Sequence, residues 1–135
     1  LCLGQAEGRS EMTPERIAIN LDDARIADNA GNQPLEQRVI ADGPDGHFST
    51  LPIEKMVASM KAAGIPASIS LSAGTFVCNH IFYVLQDYLK DSPIKSGFMH
   101  VPLMDEQRKE FPNLPTMPIR QMVAGVEIAL NVLRV

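Results

Sequence analysis

Short strand-like segments alternate along this chain with longer segments of helical period, and this alternation restricts the folds it can adopt. Residues 67–71 (ASISL) and 96–103 (SGFMHVPL) are short and apolar, as β-strands are. Residues 75–89, between them, carry an apolar pattern long enough for a helix. Strands joined by helices of this length require crossover connections, which favour a mostly parallel sheet covered on both faces. The pattern therefore predicts a three-layer α/β/α fold.

Further elements follow from the same kind of pattern. Residues 15–21 alternate with strand period and are predicted to form a strand. An amphipathic helix is predicted from Pro52 until Gly64 ends the pattern, and another over 118–135. Residues 27–49 are dense in Asp, Asn, Gly and Pro, which predicts a long irregular excursion over the surface.

Composition narrows the function classes. The 135 residues are 45% hydrophobic and 21% charged, typical of one globular domain, predicted to cover 1–135. The formal net charge is -4 and Lys and Arg do not cluster, so we expect no nucleic-acid partner. No apolar run approaches the roughly 20 residues that span a bilayer, and we expect a soluble protein without membrane contact.

The two cysteines, Cys2 and Cys78, lie in segments of different character. They give neither a disulfide framework nor a metal-ligand spacing, so no metal or cofactor is expected, and a reducing, cytoplasmic compartment fits best. The first residues, LCLG, read as an apolar strand that ends at Gly4. We therefore expect the chain to be part of a larger layered arrangement that lacks its N-terminal portion.

Cys78 is the first candidate for chemistry. It follows the strand predicted over 67–71 and falls in the first turns of the next predicted helix. Unpaired backbone N–H groups and the positive end of the helix dipole favour a thiolate there. A cysteine near Val77 and Ile81 is more often a buried structural residue, because free cysteine is among the most buried residue types. The surroundings of Cys78 alone therefore leave both interpretations open.

The three histidines differ in position. His100 is near the carboxyl end of a predicted strand, where catalytic groups gather in α/β sheets, although a hydrogen-bonded core histidine is the plain alternative. His80 is two residues beyond Cys78 and points about 200° away from it on a helix, so we discount it as a base. His47 lies in the irregular segment and receives no role.

Two charged residues each have two interpretations. Glu15, behind Thr13-Pro14, is either a solvated carboxylate or the group that orients a catalytic imidazole. Arg25 either pairs on the surface with Asp22 or Asp23 or supplies positive charge to a developing oxyanion. Nucleophilic thiol chemistry is the one mechanism for which the sequence offers every part.

Six segments in one order resemble the pyroglutamyl peptidase I family of cysteine peptidases. The resemblance covers nearly the whole chain, and six ordered blocks are far more specific than any single one. The segments are GQAEGR at 4–9, TPERIAIN at 13–20, DARIADN at 23–29, FSTLPI at 48–53, SAGTFVCN at 72–79 and SGFMHVP at 96–102. The resemblance implies a phosphorylase/hydrolase-like α/β fold whose N-terminal GF-x-PFGG-like segment is missing here.

The resemblance also implies roles for individual residues. Glu15, Cys78 and His100 would form the catalytic triad of an omega-peptidase that removes N-terminal pyroglutamate from peptides through a thioester. Phe76 would pack on the lactam ring, and Gln5 would belong to the segment that reads the ring amide. Arg25 would lie near the active site as a positive charge.

Family members are commonly oligomeric, so the resemblance implies a homo-oligomer, with a tetramer expected. Two alternatives to an active omega-peptidase remain open at this stage. One is a non-catalytic fragment of the same family, because the missing segment supplies walls of the pocket. The other is an unrelated α/β acyl hydrolase that uses the same thiol.

Overall fold

The structure, a computed structural model, describes residues 1–134. Seven short strands, three α-helices and one 3₁₀ helix make up the regular part of this range. In chain order they are β1 (Cys2–Gln5), β2 (Thr13–Pro14), β3 (Ile17–Ile19), β4 (Gly46–Phe48), α1 (Ile53–Ala62), α2 (Val77–Tyr88), β5 (Phe98–Val101), β6 (Leu103–Met104), the 3₁₀ helix (Asp105–Lys109), β7 (Thr116–Met117) and α3 (Ile119–Val132).

β5 is the centre of the main sheet, whose strand order is β1-β5-β2. β1 runs parallel to β5 with Gly4 opposite His100, and β2 runs antiparallel to β5 with Thr13 opposite His100. The strand predicted over 67–71 is reduced to parallel bridges that join Ala67 to Met12 and Ser70 to Glu15. The sheet is therefore mixed, within an α/β architecture that agrees with the prediction.

Side-chain alternation along β5 divides the core into two clusters. Successive residues of a strand point to opposite faces. Phe98 packs with Phe82 and Tyr83 of α2, whereas Met99 belongs to the cluster formed with α1 and α3. The sheet therefore lies between α2 on one face and the α1-α3 pair on the other, which makes three layers. His100 shares the parity of Phe98 and faces α2.

The chain changes sheets within the strand predicted over 15–21. The Glu15 N–H donates to the Phe98 carbonyl and the Arg16 N–H to the Ser70 carbonyl, so this stretch still belongs to the main sheet. β3 begins one residue later and pairs antiparallel with β4 in a second, two-stranded sheet. The prediction of one continuous strand was therefore wrong in its extent.

β4 lies inside the segment predicted to be irregular over its whole length, and that prediction was wrong for these three residues. The sequence of β4 is Gly-His-Phe, which has no strand period that could be read locally. β4 exists because β3 offers it backbone partners, with Ala18 opposite His47. Tertiary pairing here outweighs local propensity.

The helices begin and end close to the predicted bounds. α1 and α2 lie within the predicted segments, and α3 begins one residue later than expected and ends at Val132. Val135, the predicted end of the last helix, lies outside the described residues. Within residues 1–134, no helix has the combined length and apolar character needed to cross a bilayer.

Candidate active site

A buried carboxylate and a buried imidazole meet on the α2 face of the sheet. Nδ1 of His100 donates to Oε1 of Glu15 over 2.7 Å. Glu15 is fully buried and His100 is 4% exposed, so the interpretation of Glu15 as a solvated carboxylate was wrong. The pairing engages Nδ1, which leaves Nε2 as the imidazole nitrogen available to a third group.

The thiol of Cys78, in the first turn of α2, lies on the same side of the sheet, because its Sγ is beside Gly4, the residue paired with His100 across β1 and β5. Burial by itself would lower the pKa of His100, but hydrogen bonding to Cys78 and Glu15 outweighs burial, and the pKa is raised above its ordinary value. An imidazole that holds its proton between a thiol and a carboxylate stabilises a thiolate beside it. The three side chains therefore form one electrostatic unit.

Asn79 fixes the start of α2, and with it the thiol. Its side-chain oxygen accepts from the Ile19 N–H over 2.9 Å. Its amide nitrogen donates to the carbonyls of Ile19 and Leu21 over 2.8 and 3.1 Å. A fully buried Asn with three backbone partners clamps the helix to β3. Cys78, one residue earlier, is positioned by that clamp.

The backbone at the start of α2 is free to bind an anion. Phe76 precedes the helix in an extended conformation, and its side chain makes no capping hydrogen bond. The first N–H groups of an α-helix have no partner within the helix, and they carry the positive end of the helix dipole. Amides beside Cys78 are therefore available where an oxyanion would develop.

The structure places the remaining predicted residues in two regions. Arg25 and Phe76 line one cavity of about 300 Å³ together with Ile26 and Thr75. Arg25 is exposed, and among the described residues no ion pair joins it to Asp22 or Asp23. Gln5 lies elsewhere, at the end of β1, where its side chain exchanges hydrogen bonds with Gln107.

The other two histidines have partners of their own. Nδ1 of His80, on the surface of α2, lies 2.6 Å from Oδ2 of Asp22. Nε2 of His47 lies 3.1 Å from Oδ1 of Asp87, and its ring packs at 4.8 Å from Tyr83. His47 therefore contributes to the packing of β4 on α2. Within residues 1–134, no three His, Cys, Asp or Glu side chains are grouped to hold a metal ion.

Sequence reasoning gave no role to Asn79, described above, and missed two further residues at this site. Arg9 forms an ion pair with Glu15 at 2.8 Å, and nothing in its Gly-rich surroundings indicated a buried partner. Gly4 lies against the thiol, because a Cβ added there would be 3.1 Å from Sγ of Cys78 and 2.7 Å from Cζ of Phe98. The pairing of Gly4 with His100 could have been found only from the strand register.

Gly4→Ala is expected to slow alkylation of Cys78 and to destabilise the fold by about 1–3 kcal/mol, because the added methyl overpacks the space between Phe98 and the sulfur. The rate of iodoacetamide modification, followed by mass spectrometry, and thermal unfolding measure the two effects.

The control for this prediction is Gly31→Ala. Gly31 has a φ of +86° with open space around it, so the substitution strains the backbone away from the site. It should lower stability and leave the reactivity of Cys78 unchanged. A Gly4→Ala protein that is alkylated as fast as the original would show that Gly4 does not govern access to the thiol.

Comparison with known proteins gives one consistent result. A family model described as pyroglutamyl peptidase matches residues 1–134. The chain is 53% identical over 129 residues to a pyrrolidone-carboxylate peptidase of Aliivibrio fischeri strain MJ11, covering 96% of this chain and 60% of that protein. It is 49% identical over 134 residues to the pyrrolidone-carboxylate peptidase of Bacillus cereus strain ATCC 10987, covering 98% of this chain and 62% of the relative.

Solved structures agree. The pyroglutamyl peptidase I from Bacillus amyloliquefaciens superposes with a TM-score of 0.93 at 43% identity, over 97% of this chain and 63% of that one. The pyrrolidone carboxyl peptidase from Thermococcus litoralis superposes with a TM-score of 0.92 at 36% identity, over 96% and 62%. The chain thus spans somewhat more than three-fifths of these solved chains. A match over residues 1–134 together with this structural likeness establishes that the chain belongs to the pyroglutamyl peptidase family.

Proposed function

We propose that the protein is a cysteine-type omega-peptidase that removes N-terminal pyroglutamate from peptides. The observation that carries the proposal is the buried contact of 2.7 Å between Glu15 and His100, with Cys78 acting on the same imidazole. Family membership supplies the substrate class. The electrostatic unit supplies the chemistry, since a thiol, a base and an orienting carboxylate are the parts of a nucleophilic acyl transfer.

The three residues of this triad have distinct roles. His100 takes the proton of Cys78, and the thiolate attacks the pyroglutamyl carbonyl carbon. The protonated His100 then gives its proton to the leaving amine as the carbon–nitrogen bond breaks, which leaves a thioester. Water, deprotonated by His100, hydrolyses the thioester and restores the thiol. Glu15 holds the imidazole with its Nδ1 protonated throughout.

The proposal also assigns roles in substrate binding. Backbone N–H groups at the start of α2 bind the oxyanion, and Arg25 adds positive charge at the edge of the cavity it shares with Phe76. Phe76 offers a flat apolar surface to the lactam ring, and the Gln5 segment reads the ring amide. A small neutral ring suits a site of apolar faces and few polar contacts.

The proposal includes the domain organisation, the oligomeric state and the cellular compartment. We place residues 1–135 in one α/β peptidase domain that works as a homo-oligomer, with a tetramer expected, in the cytoplasm. Exposed apolar side chains on α3, Ile119 and Val123 among them, support an interface between copies. The free thiols of Cys2 and Cys78 suit a reducing compartment.

The test measures the fluorescence of an aminocoumarin that is released when its pyroglutamyl or prolyl amide is cleaved. The protein is expected to cleave the pyroglutamyl amide and to leave the prolyl amide intact, since proline lacks the ring carbonyl that the site reads. Iodoacetamide pretreatment should abolish the release. Cleavage of other esters or amides in place of the pyroglutamyl amide would identify a different thiol hydrolase. Absence of both binding and cleavage would identify a non-catalytic piece.

A further inference from the structure

Arg9 lies between the three chain segments that carry the triad. Its Nη1 is 2.8 Å from Oε1 of Glu15 and donates to Oγ1 of Thr13 over 2.6 Å. Its Nη2 donates to the carbonyl of Ser72 over 3.0 Å. Ser72 belongs to the turn that leads into α2. A single guanidinium therefore contacts both the carboxylate and the turn that precedes the thiol.

Thr13 extends this network to the imidazole. Its hydroxyl donates to the backbone carbonyl of His100 over 3.4 Å, and Thr13 is the residue opposite His100 across the antiparallel pair. Arg9 thus reaches Glu15 directly, the Cys78 segment through Ser72, and the His100 backbone through Thr13. The segments are distant in sequence, and the fork of the guanidinium joins them.

The partners of Glu15 make Arg9 important for orientation. Oε1 of Glu15 is shared by Arg9 and His100, whereas Oε2 is buried and has no hydrogen-bond partner within residues 1–134. If Arg9 withdraws, the carboxylate keeps His100 as its one partner in the described part of the chain. A carboxylate held by one bond can rotate about its last torsion, and the imidazole can rotate with it.

We propose that Arg9 is a positioning residue of the triad, which fixes Glu15 in the orientation that His100 needs and ties it to the turn before Cys78. This inference rests on the proposed peptidase function. It assigns to Arg9 no contact with substrate. The guanidinium suits the task because its planar donors reach Glu15, Thr13 and Ser72 at once, which a lysine ammonium on a flexible stem does not do.

The charged groups around the imidazole are few. Cys78 and Glu15 act on His100 directly, and Arg9 acts through Glu15. Without Arg9 the Glu15 carboxylate is free to rotate, and the imidazole that it orients is less well placed to stabilise a thiolate at Cys78. The thiolate then loses stabilisation in turn. The pH at which Cys78 becomes reactive therefore reports the action of Arg9 without any substrate.

The experiment compares Arg9→Gln and Arg9→Lys with a matched control, Arg16→Gln. Arg16 pairs with the exposed Glu54 on the surface and does not contact the triad. The first readout is the rate of iodoacetamide modification of Cys78 against pH, resolved from Cys2 by peptide mass spectrometry. The second readout is kcat and KM for the pyroglutamyl amide, and circular dichroism monitors folding.

Arg9→Gln is expected to move the half-maximal alkylation of Cys78 upward by about one pH unit. It should also lower kcat about 100-fold at unchanged KM, the effect of a misplacement of about 1 Å. Arg9→Lys should restore the alkylation midpoint because its ammonium can keep one contact with Oε1 of Glu15, and should still lose kcat because it cannot also reach Thr13 and Ser72. Arg16→Gln should leave both readouts unchanged.

An unchanged alkylation midpoint in a folded Arg9→Gln protein would overturn the proposal, because a purely structural role predicts lost stability alone. If Arg9→Gln does not fold, Arg9→Lys decides, since full kcat in that variant would equally overturn it. If no protein cleaves the amide, the proposed function fails, while the alkylation midpoints still test whether Arg9 acts on the triad.

Discussion

Cys78→Ser is expected to abolish cleavage of the pyroglutamyl amide without unfolding the protein. Serine differs from cysteine by one atom, but its hydroxyl is far less nucleophilic in a site arranged for a thiol. Removal of a triad nucleophile costs about 10⁶-fold in kcat, which leaves a rate below detection. Fluorophore release and far-ultraviolet circular dichroism measure the two parts of this prediction.

Cys2→Ser is the matched control for that substitution. Cys2 is the second free thiol of the chain and lies on β1, where its side chain packs against the α2-side cluster. The control should retain activity and should remain sensitive to iodoacetamide. If Cys78→Ser keeps full activity, or if Cys2→Ser loses it, Cys78 is not the nucleophile and the proposed mechanism is wrong.

Glu15→Gln is expected to lower kcat about 10⁴-fold, the effect of replacing the orienting carboxylate of a triad by an amide. Oε1 of Glu15 accepts from both His100 and Arg9. A glutamine has one oxygen for two donors and adds an NH₂ group of its own. If that group faces Nδ1, it selects the tautomer in which Nδ1 is unprotonated, so His100 can no longer act as a base through Nε2.

The same substitution should reduce stability. Loss of one partner of a buried ion pair costs about 3–5 kcal/mol, and the cost is smaller here because the Arg9 side chain is 25% exposed and water can solvate it. Urea unfolding measures the change. Glu54→Gln, which breaks the exposed pair with Arg16, is the control and should cost at most about 1 kcal/mol. Equal activity of Glu15→Gln and the original protein would remove Glu15 from the mechanism.

The layers of the fold could be predicted from the sequence because they depend on local periodicity. The apolar stripes of α1 and α3 are read residue by residue, and both helices form where the pattern places them. β4 could not be predicted, because its three residues are a strand only through their pairing with β3. The antiparallel insertion of β2 beside β5 likewise depends on long-range contacts.

The residues of the candidate site were likewise predictable only in part. Cys78 and His100 were located by their places at the start of a helix and near the end of a strand, yet each position also suited a core residue. The resemblance to a family singled them out, and their catalytic roles remain a prediction. Arg9 was missed because an arginine in a Gly-rich turn has no local feature that predicts a fully buried carboxylate as its partner.

The alternation of side chains along β5 makes activity an unusually fine measure of correct folding. A slip of one residue between β5 and its neighbours would exchange the faces of Met99 and His100, so that a thioether would meet the thiol and an imidazole would enter the methionine-rich cluster. Such a protein would keep its helices and much of its circular dichroism. Circular dichroism alone would therefore overestimate the fraction of native molecules after refolding. Counting the molecules whose Cys78 thiol reacts would give the true fraction.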